Sequence, residues 1–150
     1  MSTIADIIEK LKTINPPVFR MVGGAAEFAS IQSAPKTTPA VFVLTLQETA
    51  GENERDTGPV MQRIEADIGV IIVTSNLSDA RGDATSRDIE ALKSVVRAHL
   101  IGFVPSDSDG MPLEHVSGEL LKSAVGHIWW QEIYAATSFI EEQPEATGGP

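Results

Sequence analysis

Cysteine is absent from the 150 residues. That excludes disulfides, thiolate metal ligands and a cysteine nucleophile, and it fits folding in a reducing compartment. No apolar run approaches the ~20 residues that a membrane helix needs, so no membrane partner is expected. The opening MSTIADIIEK has neither a basic flank nor an apolar core, which argues against a secretory signal. Positive charge is also scarce. Only 11 Lys and Arg stand against 21 Asp and Glu, for a net charge of −10, and the basic residues do not cluster. Nucleic-acid binding without sequence preference rests on Lys and Arg at phosphates, so that class is disfavoured. An acidic protein can still surround DNA without gripping it.

Catalytic signatures are missing too. His99, His115 and His127 stand apart in sequence, with no HExxH, HxH or His–carboxylate motif, and no serine sits in GxSxG. His99 falls near the end of a helical pattern, where the helix dipole favours a cation. Gly23-Gly24 lies between a strand-like and a helix-like segment, yet neither GxGxxG nor GKS/GKT follows, so a tight turn is the better reading. DSDG at 107–110 lacks the remaining ligands and distal Glu of a calcium loop. Trp129-Trp130 has no basic flank to accompany base stacking, which leaves packing. No catalytic residue, cofactor or metal site is assigned.

What is present suits one globular domain, with 42% hydrophobic and 21% charged residues. The organising stretch is PVMQRIEADIGVIIVTSN, 59–76. Ile64, Ala66 and Ile68 alternate with Arg63, Glu65 and Asp67, as in a half-solvated strand. From Val70 to Val73 both faces are apolar, as where a strand enters the middle of a covered sheet. One strand of that length would span on the order of 50 Å, against a usual ~5–6 residues, so its outer half should project as an arm or bend at Gly69.

Around it, residues 3–14 read as an amphipathic helix with Ile4, Ile7, Ile8, Leu11 and Ile14 on one face, begun by Thr3 with Asp6 and ended by Pro16-Pro17. A short strand is expected over Phe19 to Val22, a helical turn or two in AAEFAS, and a buried strand over Ala40 to Leu46. ETAGENERDTGP, 48–59, lacks periodicity and reads as the loop closing a long hairpin. A helix is expected from about Asp83 to Leu100, its stripe being Ile89, Leu92, Val95, Val96 and Leu100. Strands follow over Leu113 to Leu121 and Ala124 to Ile140, with Trp129 and Trp130 on opposite faces. The expectation is an α+β fold. It has a mixed, mainly antiparallel sheet of four to five strands, a long protruding β-hairpin and two main helices on one side. A single domain over 1–140 would carry a flexible acidic tail, 141–150.

This order of elements, with IIEKLK, VGGAAEFA, TPAVFVL, PVMQRIEADIGVIIV, DARGDA, VVRAHLIGFVP and SGELLKSAVGHIWWQEIYAATSF along most of the chain, resembles the tail terminator proteins of tailed phages, Mu-like and contractile-tail types included. The resemblance implies a six-membered ring that caps the tail tube, and in contractile tails the sheath, at the end facing the head. It implies a non-enzymatic virion protein assembled in the host cytoplasm. Its partners would be copies of itself, the tube and sheath, and the neck or connector proteins, with DNA passing through unbound. Exposure and charge single out Arg55, Arg63, Glu65, Asp67 and Arg81 as subunit contacts. Two other readings stand beside it: a neck or tail-completion protein of similar size, and a small-molecule-binding α/β domain using the Gly23-Gly24 turn.

Overall fold

Strand β3, Met61–Ser75, runs through the centre of the sheet in the computed structural model, which describes residues 2–31, 34–75, 83–124 and 126–144, with backbone only for 83–88. It is flanked by β2, Ala40–Asn53, and β5, His127–Glu141. Outside these lie β1, Met21–Gly23, and β4, Glu114–Ala124, in the order β1-β2-β3-β5-β4. Among the described residues only β1 and β2 are parallel, and every other pairing is antiparallel. The helices are α1, Thr3–Lys12; α2, Ala25–Ala29; and α3, Asp83–Leu100. The fold is α+β with a mixed, mainly antiparallel sheet.

The period-2 pattern of β3 decides its layering. Ile64, Ala66 and Ile68 are buried while Glu65 is exposed, and Val70 to Val73 are buried on both faces. On one face Val41, Val43, Ile68, Val70, Ile72 and Tyr134 meet Ile7 and Leu11 of α1 and Ile89, Leu92, Val96 and Leu100 of α3. On the other, Phe42, Ile71, Val73 and Trp129 are covered by Phe28 and Ile31 at α2. Trp129 and Trp130 do part to opposite faces, Trp130 lying against the larger core.

Several local expectations give way. The segment 48–53, expected as loop, continues β2, because its backbone pairs with β3 from Gln47↔Asp67 to Asn53↔Gln62. Pairing overrides the low strand propensity of Gly51, Glu52 and Asn53. β5 accompanies β3 as far as Met61↔Glu141, so the outer end of the sheet is three strands wide rather than a two-stranded hairpin arm. The irregularity expected at Gly69 belongs to β2. Leu46 is the extra residue between Thr45 and Gln47, and its side chain lies over Gly69, where a Cβ would approach it to 3.1 Å. Ser2, not Thr3, caps α1, its Oγ accepting from the Ala5 amide at 3.2 Å. The helix ends at Lys12 rather than Ile14. β5 ends at Glu141, and the Glu142 amide donates to the Val60 carbonyl at 2.7 Å.

Candidate functional site

The outer end of β2, β3 and β5 concentrates charge. Glu48, Glu52, Glu54, Asp56, Glu65, Asp67, Glu141 and Glu142 are eight carboxylates against the two guanidiniums of Arg55 and Arg63. Strand alternation puts Arg63, Glu65 and Asp67 on one face. There Arg63 pairs with Glu65, and Thr137, opposite on β5, donates its hydroxyl to Glu65 Oε2 at 3.0 Å. Asp67 makes no ion pair among the described residues. Arg55 sits in the turn beyond β2 and reaches across to Glu141 of β5, Nη2 to Oε2 2.8 Å, while Nη1 donates to the Pro59 carbonyl at 3.1 Å. Asn53 Oδ1 accepts from the amides of Arg55 and Met61 and closes the turn. Four of the five expected contact residues therefore share one end of the molecule. Arg81 lies outside the described residues.

A second polar group was not visible in the sequence. Glu132 on β5 is fully buried, yet it receives both Arg97 nitrogens from α3, Nε at 2.6 Å and Nη2 at 2.9 Å, and the Trp130 indole N–H at 2.8 Å. Tyr134 Oη lies 3.5 Å from it and His115 Nε2 3.3 Å, the latter out of line for a hydrogen bond. Burial alone would raise the Glu132 pKa, but the hydrogen bonds and charge of Arg97, with the Trp130 donor, outweigh it and hold the carboxyl below its usual range. Arg97 is correspondingly raised by its bond to Glu132. Burial, then the Glu132 charge, pushes the Tyr134 phenol well above its ordinary value. Across on β4, a Cβ at Gly118 would stand 2.7 Å from Glu132 Oε2 and 2.8 Å from Trp130 Cζ2, so only glycine leaves room for the carboxylate. His115 is therefore near a carboxylate in space, although isolated in sequence. The arrangement ties α3, β5 and β4 together. A hollow of about 230 Å³ at the end of α1 is lined by Leu11, Ile14, Val18 and Phe19 and touches none of this group.

The other motifs resolve into scaffolding. Asp6 accepts from the Ser106 amide at 2.7 Å and its hydroxyl at 2.6 Å, and Thr3 donates to Asp107 at 2.6 Å, so the DSDG turn is pinned by the first turn of α1. The Ser106 hydroxyl bond, against the cost of burial, lowers the Asp6 pKa. At Gly23 a Cβ would meet the Glu27 Cβ at 2.9 Å, which explains a glycine where β1 passes under α2. His99 Nδ1 lies 2.9 Å from the Val95 carbonyl one turn back.

The family model for phage tail terminator proteins matches residues 1–144. The chain belongs to the phage tail terminator family. Among solved structures, one chain from a virion of a native gene transfer agent particle has a similar fold. It is 16% identical, with a TM-score of 0.51, and the match covers 93% of this chain and 99% of that one. No curated protein matches. As a family member the chain is a structural protein of a phage tail and of the virion.

Proposed function

We propose that copies of this chain form a ring, six-membered as the family resemblance implies. The ring closes the head-proximal end of the tail tube, stops its growth and gives the neck a docking surface. The observation that carries this reading is the family match over 1–144. The mechanism is binding geometry, without bond chemistry. One face of the ring matches the last layer of the tube, and the other presents no further tube-like face. Arg55, Arg63, Glu65 and Asp67 at the outer end, with Arg81, make the subunit contacts. Such contacts are heterologous, each copy offering one patch to a different patch on its neighbour, which is how a cyclic ring closes. The partners are then other copies, tube and sheath subunits and the neck proteins. The excess of carboxylates at the outer end repels DNA phosphates, so genome passes without specific binding. The protein would meet these partners as it assembles in the host cytoplasm.

Electron microscopy of the purified protein and of capped tubes, with light scattering for mass, tests this. Rings are expected, at least on tube ends. A protein that stays monomeric both free and on tails contradicts it.

A further inference from the structure

The sheet has two unpaired margins among the described residues. β4 is last in the strand order, so its outer backbone edge faces no strand. Nearly all of β4 is exposed, including Val116 at 55%, Leu120 at 54% and Leu121 at 42%. At the opposite margin β1 covers β2 only over Ala40 to Phe42, which leaves the run from Val43 to Asn53 without a partner on that side. Long apolar edges invite pairing with another chain, and soluble proteins normally blunt or cover them. The bulges at Val116 and Leu121 blunt this one only in part.

We infer that β4 of one copy pairs with the free run of β2 in the next, adding a seam of continuous β-sheet between subunits to the charged contacts of the outer end. The inference rests on the ring reading above and names the surfaces that join.

Direction comes first. β2 and β5 run one way while β3 and β4 run the other, so copies related by rotation bring β4 and β2 together antiparallel. Length agrees as well: Val43 to Asn53 matches Glu114 to Ala124 residue for residue. One residue off end-to-end alignment, with Leu44 of one copy opposite Ala124 of the other, Thr49 faces Glu119, and both stand on the Ile71 face of the sheet, so the pleats of the two copies match. Pairing β2 end to end with a second β2 would instead oppose Glu48 to Glu48, and like charges across strands destabilise.

Stagger decides between a closed ring and an open filament. Through their partners, β4 lies level with Asp67 to Ser75 of β3, and the free run of β2 with Gln62 to Val70. The offset is about five residues, roughly 17 Å at ~3.3 Å each. Four strands per copy at ~4.8 Å give about 19 Å of width. The two together slant the strands by about 40°, inside the ~35–45° at which sheets close on themselves.

The cysteine-free chain makes the test direct. Glu119→Cys is combined in turn with Gln47→Cys, Thr49→Cys and Gly51→Cys, and each double variant is oxidised free and on capped tails. A covalent ladder of multimers is expected, strongest with Thr49→Cys and weaker on either side. Glu119→Cys alone should give none. Rings without a ladder from any pair would overturn edge pairing and leave the ring reading intact. Dimers from Glu119→Cys alone would overturn it in favour of β4 against β4. A chain that never self-associates would overturn both.

Discussion

The inner and outer halves of the sheet are built from the same strands under different physics. In the inner half Val41, Val43, Val70, Ile71, Ile72 and Val73 lie between α1 and α3 on one face and α2 on the other, and Glu132 anchors α3 through Arg97. The outer half of β2 is exposed throughout, and its ion pairs, Arg55–Glu141 and Arg63–Glu65, sit at the surface. Burial of apolar area, worth roughly 25 cal/mol per Å², holds the first. The second holds because three backbones share ladder hydrogen bonds. Buried and exposed side chains are thus divided between the two ends of these strands, and under the proposed function the charged outer end meets a partner without weakening the core.

Substitutions should separate the two halves. Phe42→Ala empties a fully buried site against Phe28, 5.5 Å away between ring centroids, and should cost about 4 kcal/mol in urea unfolding. Arg97→Ala leaves the Glu132 carboxylate buried without its main partner. The expected loss is about 3 kcal/mol, near the low end for broken buried pairs because the Arg97 side chain is partly exposed. A loss as small as that of a surface pair would place the Glu132 group with the outer half.

Acid should act on the inner half. The folded pKa values of Asp6 and Glu132 are both lowered, so their stabilisation is complete above the unfolded carboxylate range near pH ~4. It is lost as pH falls through their lower folded values. The urea midpoint should therefore decline on acidification, and Asp6→Asn should make that decline shallower. An unchanged slope would remove Asp6 from the account. Smallest of all, Arg63→Ala should change stability by under about 1 kcal/mol, as for exposed pairs, while weakening self-association measured by light scattering. A large stability loss with unchanged association would reverse the assignment of the two halves.

Much of this division is legible in the sequence where period and burial coincide. The alternation through Ile64, Ala66 and Ile68, the apolar run from Val70 and the stripe of α3 from Ile89 to Leu100 report directly which faces are covered. The strand in 48–53 is not legible, because its conformation is imposed by β3 and not by its own residues. Long-range polar contacts escape for the same reason. Asp6 meets Ser106 across 100 residues and Arg55 meets Glu141 across 86, and no local spacing encodes either. Arg63, Glu65 and Thr137 are a mixed case: strand alternation places the first two together, but only the β5 register brings the third.

The claim that this fold acts by ending polymerisation is tested most directly by the length of tails assembled with and without it, measured by electron microscopy. Tubes of uncontrolled, excessive length in its absence, restored to uniform length when it is supplied, are the predicted result. Tails of normal length that merely fail to join heads would contradict the account and assign the protein to the neck.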